Sequence, residues 1–141
     1  MKATMTHQQM ITIIADANQR NRPVLFAGAD LEDANLHGSS LKDASLQGAH
    51  LAHADLQDAN LHGAFLQSAD LHGANLRNAD LRGAHLDRAN LTDADLQDAD
   101  LQEAHLGRAN FTNTDLRGAD LRGAYLGIAH IDRTDLSTAR R

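Results

Sequence analysis

The sequence predicts a short-period solenoid with one helix at its N-terminal end, and three observations carry that expectation. A hydrophobic residue occupies every fifth position from Phe26 to Leu136 without a miss; of these 23 centres 20 are Leu, the others being Phe26, Phe111 and Ile131. From Ala29 onward the residue two before each centre is small, nearly always Ala, with Ser39, Thr114 and Thr134 as the exceptions. The residue two after the centre is Gly, Asn or Asp at 15 of the 23 positions. A period of five fits neither the 3.6 of a helix nor the 2 of a strand, so the chain is expected to coil on a short repeat.

The first element precedes the repeat. Thr6-His7-Gln8-Gln9 has the form of a capping box, and Met10, Ile13, Ile14 and Ala17 follow at helical spacing, which predicts a helix over about Thr6 to Gln19. Arg22 stands before Pro23, a pair expected to end it. Residues 1–23 are thus expected to be a capping helix with its connector, the four apolar residues facing Val24, Leu25 and Phe26 over the open end of the solenoid, and 24–141 the solenoid itself.

Each repeat reads A-[D/N]-L-x-x. With the centre and the small residue pointing inward, the other three positions point out, and the chain must turn once every five residues. Gly at 28, 38, 48, 63, 73, 83, 118 and 123, with Asn or Asp at 33, 43, 58, 78, 93, 98 and 113, supplies residue types that tolerate the positive φ of a type II turn. Ile128 does not suit that conformation, so its corner is expected to leave it.

Composition narrows the class. Forty-two per cent of residues are hydrophobic but only 3% are aromatic, with no Trp, so the core must be aliphatic and narrow. The absence of Cys removes disulfides and thiol chemistry and fits a reducing compartment; a cytoplasmic protein with no targeting or membrane segment is expected. The repeat region carries 10 basic and 18 acidic residues, unevenly placed: seven acids stand with Lys42 from Asp30 to Leu76, and 11 acids with nine Arg from Arg77 onward.

The unbroken A-[D/N]-L-x-x series over residues 24–141 resembles the pentapeptide-repeat family. The resemblance implies an all-β solenoid, a right-handed quadrilateral parallel β-helix with four pentapeptides, or 20 residues, per coil. The 23 centres then make about six coils, and stacking at ~4.8 Å per rung gives a rod roughly 28 Å long. Some members of the family protect type II topoisomerases by resembling duplex DNA in shape and charge. A net −8 on this rod is one charge per ~3.5 Å, half the density of duplex DNA at about 1.7 Å per charge.

On that 20-residue register the outward positions form columns. Phe65, His85, His105 and Tyr125 stack as one ladder. Asp55, Asp95, Asp115 and Asp135, with Asn75 among them, form an acidic column; Asp80, Asp100 and Asp120 form another; Asp30 and Asp70 add to the anionic surface. Arg77, Arg82, Arg117 and Arg122 stand close enough to compensate part of this charge. The main expectation is a non-enzymatic scaffold that presents these columns to a protein partner, with mimicry of DNA towards a topoisomerase as the alternative. Direct nucleic-acid binding is not expected.

No cofactor or catalytic residue is expected, because a rod filled with Leu and Ala offers no cleft in which to hold a nucleophile or base. His85 and His105 lie one rung apart with Asp87 nearby, a two-His-one-carboxylate set, yet a surface pair with nothing behind it is expected to bind metal weakly, so no metal site is predicted. At the C-terminal end, Tyr125 and Ile128 occupy outward positions beside Ile131 and Leu136, and a homodimer joined through the last coil is expected.

Overall fold

The computed structural model describes residues 5–141; residues 1–4 of the expected N-terminal segment lie outside them. Helix α1 spans His7–Gln19 and begins at a complete capping box. The Thr6 hydroxyl accepts from the Gln9 backbone N–H at 3.2 Å while the Thr6 N–H donates to Gln9 Oε1 at 2.9 Å, which satisfies two of the donors a helix start leaves open. The helix ends earlier than Pro23 and by another device. Asn21 takes φ 51, its N–H bonds Asn18 O at 3.1 Å and the Arg22 N–H bonds Ala17 O at 2.9 Å, the paired closure of a Schellman motif.

Met10, Ile14 and Ala17 of α1 are buried in the same core as Val24 and Phe26. Ile13, expected on that face, is 40% exposed, and Leu25, expected beneath it, is 72% exposed. A position three after Met10 sits about 60° round the helix, which carries Ile13 to the edge of the contact. There it lines a shallow crevice with Pro23 and Leu25.

From Leu25 the backbone winds into a four-sided β-helix. Every β contact joins residues 20 apart in parallel, beginning with Leu25 to Ser45, Asp30 to His50, Asn35 to Asp55 and Ser40 to Asn60. Each is an isolated bridge rather than part of an extended strand, because the chain turns before a second residue can pair. Leu centres from Leu36 to Leu106 and the Ala residues two before them from Ala44 onward are essentially inaccessible to solvent, and each buried Leu stabilises the rod by about 2 kcal/mol before chain entropy is counted.

The five backbone N–H groups of a pentapeptide can be followed one by one. Around Leu51, the His50 N–H bonds Ala29 O of the coil below at 2.9 Å, the Leu51 N–H bonds Asp70 O of the coil above at 2.7 Å, and the His53 N–H bonds His72 O at 2.8 Å. The Ala54 N–H closes the corner on Leu51 O at 3.1 Å, and such a bond closes each corner from Phe26 to Leu136. Where the bridge residue is Asp or Asn, the fifth, on the residue after the centre, goes to its side chain: the Gln57 N–H to Asp55 Oδ1 and the His62 N–H to Asn60 Oδ1, each at 3.1 Å. A buried amide must find an acceptor, and an Asx turn supplies one from the residue two before.

Candidate interaction faces

The four bridge columns define four faces. One carries Leu25, Ser45, Phe65, His85, His105 and Tyr125; the next Asp30, His50, Asp70, Asn90, Asn110 and His130; the third Asn35, Asp55, Asn75, Asp95, Asp115 and Asp135; the last Ser40, Asn60, Asp80, Asp100, Asp120 and Arg140. All nine acidic candidates therefore fall on three faces, and the aromatic ladder has the fourth to itself.

On the acidic faces the carboxylates serve the backbone first. Asp55, Asp70, Asp80, Asp95, Asp100, Asp115, Asp120 and Asp135 each accept the N–H two residues on, at 3.0–3.2 Å, and Asp30 does so at 3.4 Å. Sequence reasoning treated these columns as outward charge and missed the cap. The signal was present: Asp and Asn recur at the bridge position while Glu and Gln never stand there, because only the short side chain reaches its own +2 amide. Asn one rung above Asp also relieves charge, with Asn75 Nδ2 donating to Asp55 at 3.1 Å and Asn90 Nδ2 to Asp70 at 3.0 Å.

Arg two residues after Asp folds back on it. Arg82 grips Asp80 through Nε and NH2 at 2.9 and 2.7 Å, and Arg117 and Arg122 hold Asp115 and Asp120 in the same bidentate way. The guanidinium hydrogen bond is the main reason the carboxyls of Asp80 and Asp115 lie below the ordinary range and that of Asp120 falls to about 2. Asp135 is also lowered, chiefly by the Ser137 N–H. Arg77 reaches Asp95 at 3.3 Å. Every Arg–Asp pair of the described rod lies from Arg77 onward, so the half from Asp30 to Leu76, with Lys42 its one Lys or Arg, remains the anionic half.

The aromatic face is organised differently. Phe65 stacks on His85 with centroids 5.0 Å apart and planes 8° apart, His85 on His105 at 4.7 Å and 19°, and His105 on Tyr125 at 5.0 Å and 30°. The interior rings have their faces covered by neighbours and turn edges to solvent, so the ladder is not a platform for stacking bases. The imidazole nitrogens of His85 and His105 and the carboxylate of Asp87 all lie within 4.8 Å of one another.

At the far end, Tyr125, Leu126, Ile128 and Ile131 are exposed, Ile128 by 69%. Leu136, grouped with them from sequence, instead packs against the core. Its corner aside, the last coil changes at Ile128: the positive φ moves to Gly127, at 48, because a β-branched residue resists it. Thr114 and Thr134 occupy the Ala position and direct their hydroxyls to the carbonyls of Leu91 and Phe111, at 2.7 and 2.6 Å. No helix among the described residues is long and apolar enough to cross a membrane.

A four-sided solenoid with a five-residue period and one bridge per side defines a class of repeat protein built around stacked Leu. The chain belongs to the pentapeptide repeat family: the description "pentapeptide repeats" matches residues 25–63, 54–93, 69–107 and 89–127, and proteins of this family form right-handed quadrilateral β-helices. Similar solved structures include alr5209, a pentapeptide repeat protein from Nostoc, with 33% identity over 82% of this chain and 93% of that one, TM-score 0.41. A thylakoid-lumen pentapeptide repeat protein of Arabidopsis thaliana is 26% identical over 81% of this chain and 66% of its own, TM-score 0.40. QnrB1, a plasmid-mediated fluoroquinolone resistance protein, is 20% identical over 82% and 67%, TM-score 0.40. No curated protein matches the chain.

Proposed function

We propose that this protein, a right-handed rod of about six coils, is a non-catalytic scaffold that presents its side-chain columns to a protein partner. The observation that carries the reading is the closed interior: Leu and Ala fill the rod from Leu36 to Leu106, most backbone amides are engaged between coils or within turns, and the side chains left to meet another molecule stand in regular columns. Cross-linking in cell extract followed by mass spectrometry, repeated with Phe65→Ala and with Asp55→Asn/Asp70→Asn, tests it. A partner whose capture depends on one face supports the scaffold, and capture indifferent to both faces refutes it. A cytoplasmic location belongs to the same proposal, and fractionation checks it.

A second reading, a DNA-mimicking modulator of a type II topoisomerase, is favoured by one feature, the confinement of the Arg–Asp pairs to the second half. Its test is a gyrase supercoiling assay with and without a quinolone, using the protein and an Asp30→Asn/Asp55→Asn/Asp70→Asn variant. Asn keeps the acceptor for the +2 amide and removes only charge. Protection or inhibition that the variant loses supports mimicry; no effect at micromolar excess rejects it.

We further propose a homodimer through the last coil, supported by the exposed Tyr125, Ile128 and Ile131, with the partly buried Leu136 behind them. Sedimentation at micromolar concentration is expected to give a dimer that Ile128→Glu splits. A monomer in both cases overturns it.

A further inference from the structure

We propose that His85, Asp87 and His105 bind a divalent transition-metal ion such as zinc. Two imidazoles and one carboxylate suit Zn²⁺, Cu²⁺ or Ni²⁺ and disfavour Ca²⁺ and Mg²⁺, which require oxygen ligands. All three residues are half-buried, and their ligand atoms lie within 4.8 Å of one another. Metal bonds of about 2.0–2.2 Å set tetrahedral ligand atoms roughly 3.3 Å apart, so separations of up to 4.8 Å must close by at most about 1.5 Å, through side-chain rotations that also tilt the two rings out of their 19° stack.

The surroundings keep the ligands side by side. The Leu86 N–H bonds His105 O at 2.7 Å and the His105 N–H bonds Ala84 O at 2.9 Å, which fixes the two imidazole-bearing rungs against each other. Phe65 covers the outer face of His85 and Tyr125 that of His105. The pair is therefore held between rings, an orienting role that hydrogen-bonded neighbours serve in other metal sites, while its edges stay open to an ion and a water in the fourth position.

Two departures from the repeat coincide here. His replaces Asp or Asn at 85 and 105, giving up the Asx cap that the acidic faces use. Gly107 stands beside Asp87, where a Cβ would come within 2.8 Å of Asp87 Oδ1; its φ is not of the kind that calls for glycine, so what Gly107 supplies is room for the carboxylate.

The test is calorimetric titration of the tag-free full chain with Zn²⁺ at neutral pH, together with the Cu²⁺ electron paramagnetic resonance spectrum. One ion per chain is expected, with coupling to two imidazole nitrogens. His85→Ala and His105→Ala should each weaken binding by about tenfold or more. Asp87→Asn and Gly107→Ala, which leave the aromatic stack in place, should also weaken it, and His130→Ala on another face should not. Unchanged affinity in His105→Ala, equal loss in His130→Ala, or no saturable binding tighter than about 100 µM would overturn the site.

Discussion

An Asp or Asn at the bridge position holds the amide two residues ahead, and its charge is incidental to that task. Asn60→Ala, which strands the His62 N–H now bonded at 3.1 Å, should cost about 1 kcal/mol in denaturant unfolding, whereas Asn60→Asp should cost less. The centres obey a harsher rule. Leu76 is wholly buried between like residues of the coils above and below, so Leu76→Ala should lose about 2–5 kcal/mol. Leu76→Asp should leave no cooperative melting transition, because its charge would have no partner in the rod's interior. A soluble Leu76→Asp variant with an unchanged midpoint would contradict this account of the core.

The corner is the element in which residue preference and architecture conflict. Gly, Asn and Asp were expected to turn there, and they do, but His53, Ser68, Arg88, Glu103, Arg108 and Arg133 also adopt positive φ, between 55 and 61. The N–H groups of His53, Ser68, Arg88 and Glu103 are fixed by the coil above, as when the Arg88 N–H bonds Gly107 O at 2.9 Å, and there stacking overrides local propensity. Side chains held there cost of order 1 kcal/mol or more, so Arg88→Gly should raise the unfolding free energy by about 1 kcal/mol. At Ile128, in the last coil, the turn rearranges, and Thr138 at the final corner likewise does without positive φ. In α1 the capping box makes Thr6→Ala worth about 1 kcal/mol, measurable as a lower melting temperature if the helix seals the first coil.

For the whole rod, charge varies along the axis and couples to pH. The carboxyls of Asp80, Asp115 and Asp120 lie below their unfolded values, Asp120 at about 2. A depressed carboxyl stabilises the folded state in full above its unfolded pKa of about 3.9 and loses that contribution as pH falls through the folded value. Stability should accordingly decline between about pH 4 and pH 2, and Asp120→Asn should flatten part of that decline. Melting temperatures across this range, for the protein and the variant, check it; equal slopes would deny the Arg122 pair its role.

The periodicity by itself determined the inward Leu and Ala, the corners and the resemblance to the family, because a strict five-residue repeat admits one way of burying its apolar pair. The capping box at Thr6 was equally legible, since its bonds span three residues. Only the tertiary structure decided that Asn21, rather than Pro23, closes α1. It alone placed Ile13 at the edge of the contact and made room for Asp87 at Gly107. These outcomes depend on distances across a turn or between coils 20 residues apart, where the neighbouring rung determines what a side chain meets.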